Sequence, residues 1–345
     1  MPFRMTSSSG VQGNSFLQAH HWEFDASYRW LAAHPGDFFV GTTRTPLPPS
    51  TQPPHGHQIV VDVHTLNLGM TYALTDRVRL SLSAPFQTGR ISFFEDDNQR
   101  HTETSTGLGD LTLSGGAWLL NPRGSPNRNV MLGLGLKVPT GSYHDSVDFY
   151  TPTGIVQRPA DPSIQRGDGG WGVLMELQGY TQLLPGTIAY LSASYLLNPR
   201  VRTDVTIGQR IGLPGNSASG TVPYHLSVPD AYSVRAGFSY AILPQQGLAL
   251  SLGGRIDGVP VQDLINGGDD NFRRPGYSGF VDTGLDLTRG SNTFTLNVPI
   301  RAHADRRANL YDRQVDIAGG GNLAKFEVLV SYTHRFGAGG ASEEQ

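Results

Sequence analysis

The chain has 345 residues, a formal net charge of −3, 16% charged residues, 43 Gly, 23 Pro and no Cys. Charges this sparse exclude a coiled coil or a highly charged disordered chain, and the missing cysteines exclude a disulfide framework or a thiolate metal site. Near-neutrality without a Lys/Arg run interleaved with aromatics leaves no footprint for nucleic acid.

The opening MPFRMTSSSGVQGNSF carries Arg4 but no apolar stretch, so no secretory signal is read in it. From there the chain keeps a period of two. In RVRLSLSAPFQ, Val78, Leu80, Leu82, Ala84 and Phe86 fall on one face, with Arg77, Arg79, Ser81 and Ser83 on the other. AYSVRAGFSY, NTFTLNVPIRAH and AKFEVLVSYTHRF alternate in the same way. About twelve such segments are expected, near 22–31, 59–74, 77–87, 107–120, 129–140, 169–182, 187–197, 230–242, 247–257, 276–288, 292–302 and 322–336. No helical stripe competes with them, and no window holds a run of apolar residues long enough for a membrane helix.

The links between segments alternate in length. ALTDRV, NPRGSPNR, LLPGT, LPQQG and TRGSN are short, whereas 32–58, 88–106, 141–168, 198–229, 258–275 and 303–321 are long, polar and rich in Gly, Pro and Asp. A soluble sandwich has no reason to keep every second connection short. A transmembrane up-and-down antiparallel β-barrel does, with short periplasmic turns, long extracellular loops and both termini periplasmic. The expected division is an N-terminal periplasmic segment (1–21), the barrel (22–336) and a tail (337–345). Tyr72, Trp118, Tyr180, Tyr195, Tyr240 and Tyr332 lie near segment ends, where an aromatic girdle would stand. The ending on Tyr332, His334 and Phe336 resembles the signal read by the outer-membrane assembly machinery, although GAGGASEEQ follows it.

YALTDRVRLSLSAPF, GLGDLTL and LGLGLKVPTG together resemble the "meta-pathway of phenol degradation" family of outer-membrane β-barrel transporters. GRIDGVPVQDLINGGDDNFRRPGYSGF looks like a motif of related envelope proteins. The resemblance spans most of 59–336; it implies a barrel in the bacterial outer membrane and brings no catalytic residues.

Sharper sites find little support. GLGDLT lacks the third glycine and following helix of a dinucleotide fingerprint, and GLGLKVPTGS lacks the order of a P-loop. Gly115, Gly116, Gly133 and Gly135 are read as wall positions where the barrel curves or is crowded. HGH at 55–57, and His144 with Asp145 and Asp148, are candidate metal ligands, but solvated loop residues are the plainer reading, and no metal or cofactor is expected. His225 with Ser227 lies in a loop without the spacing of an activated nucleophile, so no enzyme is expected. Asp257, Gly258, Asp263, Asp269, Asp270, Arg273 and Arg274 are expected to form an extracellular-loop motif, its arginines folded onto its carboxylates.

Arg77, Arg79, Lys137, Glu176, Arg235, Arg255, Asp282, Asp286, Arg301, Lys325, Glu327 and Arg335 are expected to line the lumen. The expected function is passive uptake of small solutes, either hydrophobic or aromatic compounds or small anions. The alternative is a non-conducting outer-membrane barrel, structural or binding a ligand or partner, that acts through its extracellular loops. Expected partners are outer-membrane lipids, the solute and the assembly machinery, with no nucleic acid; oligomeric state is left open.

Overall fold

The computed structural model describes residues 16–34, 38–44, 59–206, 225–267, 271–309, 313 and 320–337. Twelve long strands form one antiparallel barrel: β1 (His21–Ala33), β2 (Val60–Ala73), β3 (Val78–Phe94), β4 (Leu111–Trp118), β5 (Arg128–Val138), β6 (Gly172–Leu184), β7 (Thr187–Leu197), β8 (Ala231–Leu243), β9 (Leu248–Val259), β10 (Gly276–Arg289), β11 (Asn292–Arg306) and β12 (Glu327–Gly337). Each pairs with its sequence neighbours, and β1 closes on β12 in a register running from His21 opposite Gly337 to Leu31 opposite Glu327. Closure satisfies the backbone N–H and C=O groups within the wall, as a hydrocarbon surrounding requires.

Side-chain alternation fixes which face is which. On β3, Leu80, Leu82 and Phe86 are exposed, while Ser81, Ser83 and Gln87 are buried. On β5, Leu132, Leu134 and Leu136 are exposed, and Lys137 is buried. Leu134 is 62% exposed and Leu252 59%, and both belong to an apolar belt that runs around the barrel. Such a belt is costly in water and is the surface that lipid acyl chains cover. Trp22 and Tyr72 pack at 4.6 Å, and Phe294 and Tyr332 at 5.0 Å, in an outward aromatic group at the end with the short turns. Two members of the expected girdle are corrected: Trp118 and Tyr180 point inward and meet edge to face at 5.8 Å.

Tight turns join strands at the periplasmic end. Gly247 (φ +67°) follows the 3-10 turn Pro244–Gln246, and any Cβ there would collide with the Thr288 carbonyl oxygen.

The extracellular end departs from the expected loops. The link 88–106 is largely a hairpin: β3 continues to Phe94 and pairs with an added strand, Arg100–Leu108. The expected strand 107–120 is therefore divided, since Gly107 and Leu108 belong to that hairpin and Gly109 and Asp110 separate it from β4. Ser146–Thr151 and Gly154–Pro159 pair within the link 141–168. The Thr and Ser residues of HTETSTG carry too little apolar signal for this rim strand to stand out from polar loop.

Candidate functional site

The link between β5 and β6 folds inward at the extracellular end. Ile164 is fully buried and joins Val147 and Ala160 in a cluster with the wall residues Ala33, Val61 and Ile91. Gly89 makes room for it, because a Cβ there would lie 2.7 Å from that of Ile164. Gln87 donates to the Ile164 and Gln165 carbonyls, at 3.3 Å each.

The motifs GLGD and VPTG meet where this link is anchored. Thr140 donates to the Gly109 carbonyl at 2.8 Å and accepts from Leu111 N–H at 3.0 Å. Asp110 Oδ1 accepts from Gly141 N–H at 2.9 Å. The returning chain packs against the same place: a Cβ on Gly109 would stand 3.0 Å from the Arg166 carbonyl oxygen, and one on Gly167 2.8 Å from Asp110 Oδ1. Lys137 pairs with Asp168 and lies 3.9 Å from Asp110. Burial, then the neighbouring Asp168 charge, push the Asp110 carboxyl up to about 6 against the pull of Lys137. Asp145 shows the opposite balance. Burial would raise it, but bonds from Arg166 and Ser105 outweigh that and hold it at about 2.

A second knot ties the neighbouring loops together. Arg273 forks onto Asp263 at 2.7 and 2.8 Å and donates to Ser227 at 2.7 Å. Asp230 is fully buried and accepts from Asn198 N–H, Tyr195 O–H and Leu264 N–H at 2.7–2.9 Å. Arg274 reaches Asp161 of the β5–β6 link at 3.1 Å through two bonds, joining the two knots. Burial would raise the Asp161 carboxyl, but Arg274 and Ser163 hold it below the ordinary value.

Within the barrel the charged side chains form a lattice on β1 and β8–β12. Glu327 accepts from Arg29 at 3.0 and 2.7 Å and from Arg255 at 3.3 Å. Arg255 also pairs with Asp257, and Arg235 pairs with the fully buried Asp282. Arg235 lies over the Tyr190 ring at 5.2 Å and Arg255 over Phe280 at 5.6 Å. Thr295 donates to Asp286 at 2.6 Å. Because β9 and β12 are separated by β10 and β11, the Arg255–Glu327 contact is a chord through the interior. The opposing wall is different. Arg79 donates to Gln178 on β6 at 3.0 Å, and above it the inward residues Thr71, Ser81, Ser83 and Ser114 are small and neutral. Half-buried Glu176 stands opposite Gly133.

Several sequence expectations are corrected. Arg77 is exposed in the β2–β3 turn and donates to the Trp118 and Leu119 carbonyls at 3.0 and 2.5 Å. Lys325 is exposed and precedes β12. Arg301 is inward but part of the mouth, donating to the Ala324 carbonyl at 2.9 Å and lying over Phe39 at 4.6 Å. Arg335 pairs with Glu23 at 2.7 Å near the periplasmic end, away from the lattice. Asp257 and Gly258 are strand residues of β9, not loop residues, and Asp257 accepts from Ser233 at 2.6 Å. Arg274 bonds outside its own motif. Asp269 and Asp270, and HGH at 55–57, lie outside the described residues. His144 turns to Asp204 at 3.1 Å, Asp145 to Arg166 and Asp148 to Gln157. Among the described residues, no group of three or more His, Asp or Glu is placed to hold a metal ion. Gly109 of GLGD and Gly141 of VPTG receive the returning link.

Residues 54–155 match the model of the family described as Putative MetA-pathway of phenol degradation. An outer membrane channel from Pseudomonas putida F1 superposes with a TM-score of 0.60 at 14% identity, over 96% of this chain and 100% of that one. A FadL homologue from Pseudomonas aeruginosa gives 0.41 at 10% identity, over 92% and 90% of the two chains. The beta domain of the Bordetella autotransporter Brka gives 0.42 at 12% identity, over 92% and 98%. These last two scores are too low to support an inference about this chain. No curated protein matches the chain in sequence. The chain is a twelve-stranded antiparallel β-barrel with an apolar outer belt and the fold of an outer membrane channel, and its residues 54–155 match the model of the family described as Putative MetA-pathway of phenol degradation.

Proposed function

We propose that the protein is a lidded channel for passive entry of small solutes across the outer membrane, with small aromatic carboxylates as its preferred class. The observation that carries this reading is a built lid over a polar interior. The β5–β6 link is latched by Asp110, Lys137 and Arg274 above a wall of Ser, Thr and Gly. A barrel serving only as a scaffold needs no such wall beneath a separately fastened cover. Two features support the solute class. The inward rings of Tyr190 and Phe280 lie beside Arg235 and Arg255, which suits a planar anion that stacks and pairs at once. The family description, moreover, names phenol degradation. A barrel of this size leaves a narrow passage defined by inward side chains, so selection by shape and charge is expected.

Liposome uptake tests the reading. Vesicles holding the purified barrel should take up radiolabelled benzoate faster than empty vesicles, and faster than they take up glucose. Equal benzoate uptake with and without protein would reject the channel, whereas faster glucose uptake would reject the solute class alone.

A further inference from the structure

We infer that Glu327 sets the charge preference of the passage by masking two arginines from opposite sides; this rests on the channel reading above. Glu327 is 2% exposed and stands at the start of β12. It takes both forks of Arg29 from the adjoining strand, at 3.0 and 2.7 Å. It also takes Arg255 from β9, across two intervening strands, at 3.3 Å. Around it Arg29, Arg235 and Arg255 are paired with Asp257, Asp282 and Glu327, and buried Asp286 on β10 adds a further carboxylate.

This network lies on one side of the barrel. Inward Thr71, Ser81, Ser83 and Ser114 of the facing wall carry no charge, and Gly133 and Gly135 present no side chain. A solute crossing the barrel thus meets the lattice on one flank and, on the other, a wall of small neutral residues interrupted by Arg79, Glu176 and the Lys137–Asp168 pair. Its charge discrimination comes from whichever lattice member lacks a full counter-charge.

Glu327 holds that position because it is shared. Asp282 neutralises Arg235 and Asp257 contributes to Arg255, so losing either leaves one cation less well paired. Losing the Glu327 charge affects Arg29 and Arg255 together, on either side of the chord. An unpaired charge in a low-dielectric, partly dehydrated passage acts strongly on a passing ion. The preference should therefore swing toward anions. Removing the Arg255 charge leaves carboxylate in excess and should swing it the other way.

Zero-current potentials of single channels in a KCl gradient distinguish the outcomes. Relative to the wild-type barrel, Glu327→Gln should shift toward the anion side and Arg255→Gln toward the cation side. The double variant, which restores the balance, should return toward the wild-type value. A role confined to holding the wall together would not reverse sign or be repaired by a second loss of charge. If Glu327→Gln does not assemble, Arg255→Gln and Glu327→Asp carry the test, the latter expected to keep the wild-type potential. Conducting channels with the same potential in wild type, Glu327→Gln and Arg255→Gln would overturn the inference. A wild-type barrel that never conducts would instead reject the channel reading.

Discussion

Asp110 and Gly141 are joined by a 2.9 Å hydrogen bond from the Gly141 N–H to Asp110 Oδ1, and this bond ties the end of one sequence motif to the end of another. It lies under the returning β5–β6 link, so the part of the chain with the most recognisable sequence is also where the lid is fastened. Gly167 completes the joint by bringing its backbone against both residues.

Substituting Gly167 should loosen the lid without unfolding the barrel. A Cβ at Gly167 would enter space held by the Gly141 carbonyl and Asp110, and overpacking of this kind costs about 1–3 kcal/mol. Gly167→Ala should leave the folded barrel band on a gel unchanged. It should also make Arg158 and Arg166, within the link, more sensitive to trypsin.

Lid docking should depend on pH, with the sign set by two carboxylates. Asp110 has its value raised in the docked state, from 3.8 to about 6, so its ionised form opposes docking at neutral pH. That penalty is relieved as pH falls from about 6 toward 4. Asp145 is held at about 2, so its contribution persists until pH falls below about 4. Trypsin-independent protection, read by hydrogen exchange across 141–168, should accordingly be greatest near pH 4. Asp110→Asn should flatten the change between pH 4 and 6, while an unchanged profile in that variant would assign the dependence to another group.

Lys137→Met should be more harmful than its size suggests. It would leave Asp168 and Asp110 buried together without their cation, and breaking a buried pair from one side costs about 3–5 kcal/mol. Urea unfolding in micelles should show a loss of that order. Adding Asp168→Asn should recover part of it.

The lipid face has its own test. Leu134 lies on the exposed face of β5, within the apolar belt, and an arginine near the bilayer midplane costs about 2–4 kcal/mol. Leu134→Arg should lower stability in bilayers by that amount. Gly133→Ser, one residue away but facing inward, should cost less.

Much of the barrel was legible because lipid imposes a strict rule on sequence. Every strand must alternate, and Leu80, Leu82 and Phe86 against Ser81 and Ser83 show that alternation plainly. The rim obeys no such rule. Arg100–Leu108 faces water outside and other loops inside, so its threonines and serines read as loop although they pair with β3. Orientation was legible for Lys137, Arg235, Arg255, Asp282 and Glu327, since period two assigns each a face. Their partners were not, because Arg255 meets Glu327 across the interior and pattern along a strand cannot report a chord. The role of Asp110 is not legible in GLGD, since it depends on Gly141 and Asp168, both distant in the chain. Trp118 and Tyr180 were misplaced because a position near a strand end is shared by lipid-facing and inward aromatics alike.

On the proposed reading a latched lid covers a conducting passage. Single-channel recording in planar bilayers, comparing the wild type with Gly167→Ala, tests it most directly. The wild type should show brief, infrequent openings, and the variant longer or more frequent openings of the same charge preference. Barrels that insert fully folded and remain silent in both forms would contradict it.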